Sequence, residues 1–420
     1  MGAVQAPYPD GVPHTDRQGR PLFAYDAGTS FLPIGLYHGV TGTFGGRSYA
    51  FDVAVQSGHN TVVAWGGLDS ATVLDAARRA GLRVIMSLPK DDTVLAARDH
   101  PNVLGFDIDH EPSIARTPGD VERRLRQFED RRKQIRAIDP DRAVFTVDYP
   151  AVRADRIDGW NDWKRAGDVA SFWTYPVTGE RTPSVGGYAG VGKTAALAVQ
   201  AVSSKKPVWF VAQAFEAKFG SYDWRMPNNR QARAMAYSAL IHGATGLIWF
   251  SYDSFVTRNG LVIGISPDPQ TEYDHVLAGS LTGGKLFPAD DRQKARSRTL
   301  WNAVSRLNRE LAAQTGIWLS PTADTDYRVE TRGARTSRDP VRTQLKRTED
   351  GLVLAAVNED DTPVDFRVSM PRGIAAFEPV AGDAHASIRD GVLAGTLDGF
   401  GTFVFKLVLE PEREPDRGGR

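Results

Sequence analysis

What most constrains the fold of this 420-residue chain is an alternation of short apolar segments with amphipathic ones, beginning near residue 31. The apolar segments are "FLPIGLYHG" (31–39), "NTVVAWG" (60–66), "LRVIMSLP" (82–89) and "NVLGFDID" (102–109). They continue with "RAVFTVDYP" (142–150), "DVASFWTYPV" (168–177), "PVWFVAQAF" (207–215) and "TGLIWFSYD" (245–253). Each has the length and composition of a strand. Between them, stretches such as "SATVLDAARRAG" (70–81), "DVERRLRQFEDRRKQIRAI" (120–138) and "NRQARAMAYSALIHG" (229–243) carry helical periodicity. Eight strand-then-helix units in about 220–250 residues are what a closed (β/α)8 barrel requires. A doubly wound open sheet is the other way to arrange such units, but it opens with a Gly-rich turn. Here the first turn, "GLYHGVTGTFGG", has no G-x-G-x-x-G. The predicted fold is therefore α/β, a TIM barrel over 31–315 after an N-terminal extension (1–30).

After the helix "RSRTLWNAVSRLNRELAAQ" (296–314) the pattern changes. "DYRVET", "VRTQLKRT", "GLVLAAVNE", "PVDFRVSM" and "GTFVFKLVLE" are short strands separated by turn residues. They predict a small antiparallel β-sandwich domain over 316–410. Residues 411–420 read as a disordered tail.

Lys+Arg and Asp+Glu both number 51, so the formal net charge is zero. A nucleic-acid partner would leave a basic excess, and none is expected here. Cysteine is absent, which removes disulfides, thiolate metal sites and a thiol nucleophile. The eight His show no H-x-H or H-E-x-x-H spacing, and no G-x-S-x-G elbow occurs. The expectation is an enzyme without metal or cofactor. No segment has the length of a membrane span, so no membrane insertion is expected. The first residues lack an apolar signal core, which fits an extracellular or periplasmic chain without its leader, a cytoplasmic one being the alternative.

One motif points elsewhere. "GYAGVGKT" (Gly187 to Thr194) matches the phosphate-loop pattern letter for letter. That reading requires an apolar strand immediately before it, but "TGERTPSV" is polar and contains Pro183. The segment reads instead as the sixth loop entering its helix.

Chemistry concentrates in "NVLGFDIDHEPS" (102–113), where Asp107, Asp109 and Glu111 alternate along one strand. Residues two apart on a strand share a face. Barrels place their chemistry at strand C-termini, where Glu111 falls, with Asp107 and Asp109 expected to point into the barrel beneath it. Like charges this close favour holding a proton. A carboxylic acid kept protonated near neutral pH is what protonates a glycosidic leaving oxygen. The alternative is that Asp107 and Asp109 only bond to neighbouring backbone or arginine. Asp148 and Asp253, at the ends of the fifth and eighth strands, are further rim carboxylates. Either would serve as base in an inverting scheme, or else bind sugar.

The barrel pattern, the Glu-Pro after strand four and the C-terminal β domain resemble clan A glycoside hydrolases. The resemblance implies that Glu111 is the acid/base and that a strand-seven Glu is the nucleophile. His110 stands where the clan usually has Asn, and Gln213 where the nucleophile is expected, with Glu216 three residues later as its leading substitute. "FDIDHEP" is also similar to the Asp-x-Asp-x-Glu signature of chitinase-like hydrolases, in which the middle Asp, here Asp109, orients the substrate's acetamido group. Tyr175 and Trp249 fall where that family has a Tyr and a floor Trp. The third strand, "IMSLP", lacks that family's Ser-x-Gly-Gly.

Aromatic residues gather near the strand C-termini: Tyr37, Trp65, Trp173, Tyr175, Phe215, Trp249 and Tyr252, with Trp224 in the loop after strand seven. Flat rings pack on the C–H faces of sugars. His38, Asn60, His110, Gln213 and Arg225 add polar groups. The expected substrate is a carbohydrate, cut with Glu111 as proton donor and Asp107 and Asp109 tuning it. The rival is a non-catalytic carbohydrate-binding protein on a degenerate hydrolase barrel.

Overall fold

The computed structural model describes residues 31–37, 42–44, 47–49, 51–64, 70–98, 100–114, 117–140, 142–150, 157–187, 190–203, 206–219, 222–252, 254–257, 260–267, 289–333 and 339–411. Eight parallel strands close into a barrel. They are β1 (Ile34–Tyr37), β2 (Thr61–Ala64), β3 (Arg83–Ser87), β4 (Val103–His110), β5 (Ala143–Asp148), β6 (Ala170–Thr174), β7 (Val208–Gln213) and β8 (Gly246–Phe250). Each coincides with one of the eight apolar segments, β4 running one residue beyond its segment to His110, and β8 pairs back onto β1 through Ile34–Leu247 to Leu36–Trp249. Closure excludes the open sheet.

The helices following these strands are α1 (Asp52–Gln56), α2 (Ser70–Ala80), α3 (Asp91–Ala97), α4 (Pro118–Ile138), α5 (Ile157–Ala166), α6 (Val191–Ala201), α7 (Asn229–Ile241) and α8 (Asp291–Ala313). Their starts are written locally. Thr117 caps α4 by accepting from the Asp120 N–H, with Pro118 in the first turn. Asn228–Gln231 and Asp290–Gln293 form capping boxes on α7 and α8.

Side chains alternate between two cores. Val63, Ile85, Phe145, Val147, Trp209, Val211 and Ile248 fill the barrel, with Phe145 edge-on to Trp209 at 5.0 Å. Val62, Val84, Phe106, Val144, Phe172 and Phe210 face the helices.

After a short helix, α9 (Thr315–Trp318), eight antiparallel strands form a two-sheet sandwich: β9 (Arg328–Arg332), β10 (Val341–Thr348), β11 (Gly351–Asn358), β12 (Val364–Ser369), β13 (Ile374–Gly382), β14 (His385–Arg389), β15 (Val392–Leu397) and β16 (Thr402–Leu409). The sheet orders are β9-β12-β15-β14 and β10-β11-β16-β13. Leu345, Leu354, Phe366, Leu393 and Phe403 fill the space between them. The second sheet turns Val353, Ala355, Val357 and Val404 outward into the helix layer of the barrel, which fuses the two parts.

The phosphate-loop match is an artefact of this docking. Gly190 caps α6 and Thr194 spends its hydroxyl on the Gly190 carbonyl at 2.9 Å. A Cβ at Gly192 would meet His242 at 2.4 Å and the Glu359 carboxylate at 2.7 Å, so that glycine is there for close packing. No helix among the described residues is long and apolar enough to cross a membrane.

Candidate active site

Two irregularities at the end of β4 build the site. Asp107 pairs with Phe145 but His110 with Val147, so two residues of β4 stand opposite Thr146 alone. This bulge breaks the simple two-residue alternation. Asp107 and His110 therefore share the barrel interior, with Asp107 Oδ2 at 2.5 Å from His110 Nε2 and Ser87 Oγ at 3.2 Å from the same nitrogen. Ile108 packs on the helix side. Asp109 does not point beneath Glu111 as the sequence spacing predicts; its carboxylate takes both oxygens to Arg124 of α4, at 2.9 and 3.0 Å.

The second irregularity is Glu111 itself, at φ +53°, a left-handed conformation that costs a non-glycine residue about 1 kcal/mol or more. Its N–H donates to the Val147 carbonyl at 2.7 Å, which holds it. The half-buried carboxylate accepts from Trp173 Nε1–H at 3.0 Å. Burial pushes the Glu111 carboxyl above its ordinary value. The Trp173 hydrogen bond opposes that, the charge on Asp148 adds to it, and His110 again opposes. Burial lowers His110 most, but the charge and hydrogen bond of Asp107 together with the charges of Glu111 and Asp109 outweigh it, so the imidazole is raised on balance. Asp109 is raised by its own burial, partly offset by Arg124.

Around Glu111 the aromatic side chains form a continuous wall. Trp173 stacks on Tyr175 with centroids 4.4 Å apart and planes at 14°. Tyr175 meets Phe215 edge-on at 4.9 Å and Phe250 at 6.0 Å, and Tyr37 meets Phe250 at 5.2 Å. Burial holds the phenols of Tyr37 and Tyr175 protonated, reinforced by Asp107 at Tyr37 and by Glu111 at Tyr175. Glu111, Tyr175, Tyr37, Asp107 and His110 are thus electrostatic neighbours. A small antiparallel sheet, Tyr222–Trp224, Glu216–Phe219, Gly260–Ile263 and Phe255–Thr257 in that order, carries Trp224 to the wall. The sequence patterning missed this sheet because its strands are only three or four residues long.

Other expected site residues are committed elsewhere. Asp148 is fully buried and accepts from the Ser113 hydroxyl at 2.5 Å and the Tyr149 N–H at 3.0 Å, with Lys164 Nζ at 3.6 Å. Its reach to a sugar is closed off, so its part in the site is its charge. Gln213 is a staple: it accepts from the Val177 N–H at 2.9 Å and donates to the carbonyls of Val177 at 3.0 Å and Arg225 at 2.9 Å. Glu216 takes Arg296 of α8 through two 2.8 Å bonds, while its neighbours Phe215 and Ala217 face the Tyr175 wall. The expected nucleophile is therefore turned away from the aromatic mouth. Trp249 is also reversed: it faces the helix layer and donates to Asn308 Oδ1 at 2.9 Å. Tyr252 packs edge-on to Trp301 in the same layer. Asn60 bonds to the Ile34 N–H and the Leu32 carbonyl at the N-terminal ends of the strands, away from the rim. His38, Trp65 and Asp253 lie outside the described residues. Among the described residues no three His, Cys, Asp or Glu side chains group to hold a metal ion.

No protein-family model and no curated protein matches the sequence. Solved structures do match the fold. Amy13B of Eubacterium rectale superposes with a TM-score of 0.50 at 9% identity, over 90% of this chain and 96% of that one. A GH30 endoxylanase from Clostridium papyrosolvens C71 gives 0.44 at 10% identity, over 90% and 96%. A β-galactosidase from the haloarchaeon Halorubrum lacusprofundi gives 0.46 at 12% identity, over 70% of this chain and 60% of that one. This chain thus spans less than two thirds of that galactosidase. At such identities the likeness is one of fold: the barrel is of the kind on which solved glycoside hydrolases are built.

Proposed function

We propose that this protein is a glycoside hydrolase acting on a poly- or oligosaccharide, with Glu111 as the proton donor. One observation carries the reading: a half-buried carboxyl at the C-terminal end of β4, raised by burial and held at 3.0 Å by an indole that is part of an aromatic wall. Such a carboxyl stays protonated toward neutral pH and can deliver its proton to a leaving oxygen. The wall formed by Trp173 and Tyr175 would take the apolar face of a sugar ring, and His110 would meet its hydroxyls. Asp107, behind His110, fixes that ring and its charge. When His110 carries its proton, it opposes the rise of the Glu111 carboxyl. Asp109 acts at one remove, by tying the end of β4 to α4 through Arg124.

With Asp148, Gln213 and Glu216 engaged, the second carboxylate of an inverting scheme falls to Asp253, three residues past β8 in the chain. The chitinase-like reading loses its support, because Asp109 is paired with Arg124 and Trp249 faces α8. A second reading, non-catalytic carbohydrate binding, is favoured by that same engagement of the three rim groups. Reducing-sugar release from a polysaccharide panel separates them. Wild-type activity that collapses in Glu111→Gln and Asp253→Asn supports the hydrolase. Sugar-dependent thermal stabilisation without release supports the binding protein.

A further inference from the structure

A second concavity lies outside the barrel, between its helix layer and the C-terminal sandwich. Its volume is about 670 Å³, within the range of small-molecule and oligosaccharide sites. Gln200 of α6, His242 at the end of α7, Asp324, Asp326 and Tyr327 of the segment before β9, and Gln344 of β10 line it. None of these belongs to the aromatic wall around Glu111.

Gln344 is the informative residue. On β10 its neighbour Leu345 enters the sandwich core, so Gln344 turns the other way, toward α6 and α7. It is only 5% exposed, its Nε2 donates to Thr322 Oγ1 at a long 3.4 Å, and its Oε1 is buried with no hydrogen-bond partner. An unmet buried acceptor is unfavourable by about 1–3 kcal/mol, and a donor arriving in the cavity would relieve it. The other lining groups point to the same kind of visitor. Asp324 and Asp326 are acceptors. His242 gives its Nδ1–H to the Ser238 carbonyl at 2.8 Å, which leaves Nε2 with a lone pair. Burial holds that imidazole toward its neutral form. Among the described residues no Lys or Arg lines the cavity, and an anion finds no counter-charge from them.

We propose that this cleft is a second carbohydrate site, binding a neutral polyhydroxylated ligand, such as a segment of a glycan chain, by accepting from its hydroxyls. The acceptor-rich lining matches a ligand whose commonest group is an O–H donor. Tyr327 supplies a ring beside them. The site requires no chemistry at Glu111, so its existence and the hydrolase reading stand or fall separately.

The test uses the full chain carrying Glu111→Gln, so that no glycan is consumed. Neutral hexasaccharides of glucose, xylose, mannose and N-acetylglucosamine are titrated by calorimetry. The expected result is binding of at least one hexasaccharide that survives Trp173→Ala. That binding weakens roughly tenfold on Gln344→Leu, the loss of one buried hydrogen bond, and about threefold on Asp326→Asn, whose carboxylate is exposed and keeps one acceptor oxygen as the amide. Asp326→Asn covers the outcome in which Gln344→Leu fails to fold. Two results would overturn the proposal. One is the absence of any binding outside the Trp173-dependent event. The other is thermal stabilisation by calcium chloride, abolished by Asp326→Asn, with no hexasaccharide effect, which would make the cleft a cation site.

Discussion

The Trp173 indole donates to Glu111 Oε1 at 3.0 Å while its face lies on Tyr175, so one side chain joins the carboxyl of β4 to the aromatic wall of β6. The bond spans β5, the strand between them in the barrel. Orientation of the carboxyl and shape of the mouth are therefore not independent. Whatever seats a ring against the wall also sets its distance from Glu111.

Glu111→Gln keeps the size and the Trp173 contact but has no proton to give. Its kcat is expected to fall by about 10²–10⁴, the usual worth of general acid catalysis, with KM changed little. Because the active form is the protonated carboxyl, wild-type activity declines as pH rises through its raised pKa. A pH–rate profile should show that alkaline limb in the wild type. Finding the same limb in residual Glu111→Gln activity would assign it to another group.

Trp173→Phe leaves a ring but removes the N–H. That bond holds the Glu111 carboxyl down, so its loss should move the alkaline limb of kcat/KM to higher pH. KM should rise because the carboxyl is no longer oriented. A limb that moves to lower pH, or stays, would show that Trp173 only packs.

Glu216→Gln addresses the residue most like a clan A nucleophile in chain position. With both oxygens on Arg296, its role here is to tie the loop after β7 to α8. Activity is expected within a few-fold of wild type. Stability should drop by about 1–2 kcal/mol, modest because Arg296 is partly solvated. Chemical denaturation measures the second and a standard rate assay the first. A collapse in kcat with unchanged stability would restore Glu216 as nucleophile.

The sequence makes the barrel legible because its signals are redundant. Eight apolar segments, helical periods between them and caps such as Asn228–Gln231 all agree. Glu111 is legible for the same reason, since it closes a strand in the place where barrels react. Asp109 is not, because a bulge between Asp107 and His110 leaves no mark in composition yet reverses which face each later residue takes. Trp249 and Ile248 are adjacent apolar residues, and nothing in their identity tells which one enters the barrel. The commitments of Gln213, Glu216 and Asp148 depend on Val177, Arg296 and Lys164, partners that come from other elements of the fold. Only the assembled fold brings them together.

Lys164 gives the sharpest linkage test. Its ammonium is 1% exposed, 3.6 Å from Asp148, donates to the Ser171 carbonyl at 2.6 Å and lies 5.0 Å from the Trp160 ring. Burial lowers it from 10.5 to about 8 despite the Asp148 charge. Between those two values the unfolded chain holds the Lys164 proton and the folded chain has lost it. Stability then rises with pH, because the unfolded state binds more protons. Measured against Lys164→Met, which has no such proton, wild-type unfolding free energy should gain on the order of 3 kcal/mol from about pH 8 to 10.5. Below pH 7 the difference between the two proteins should be flat from this source. Urea unfolding of both across that range checks it. A constant difference up to pH 10.5 would mean that Asp148 keeps Lys164 charged throughout, and that the pair is a permanent ion pair beneath the site.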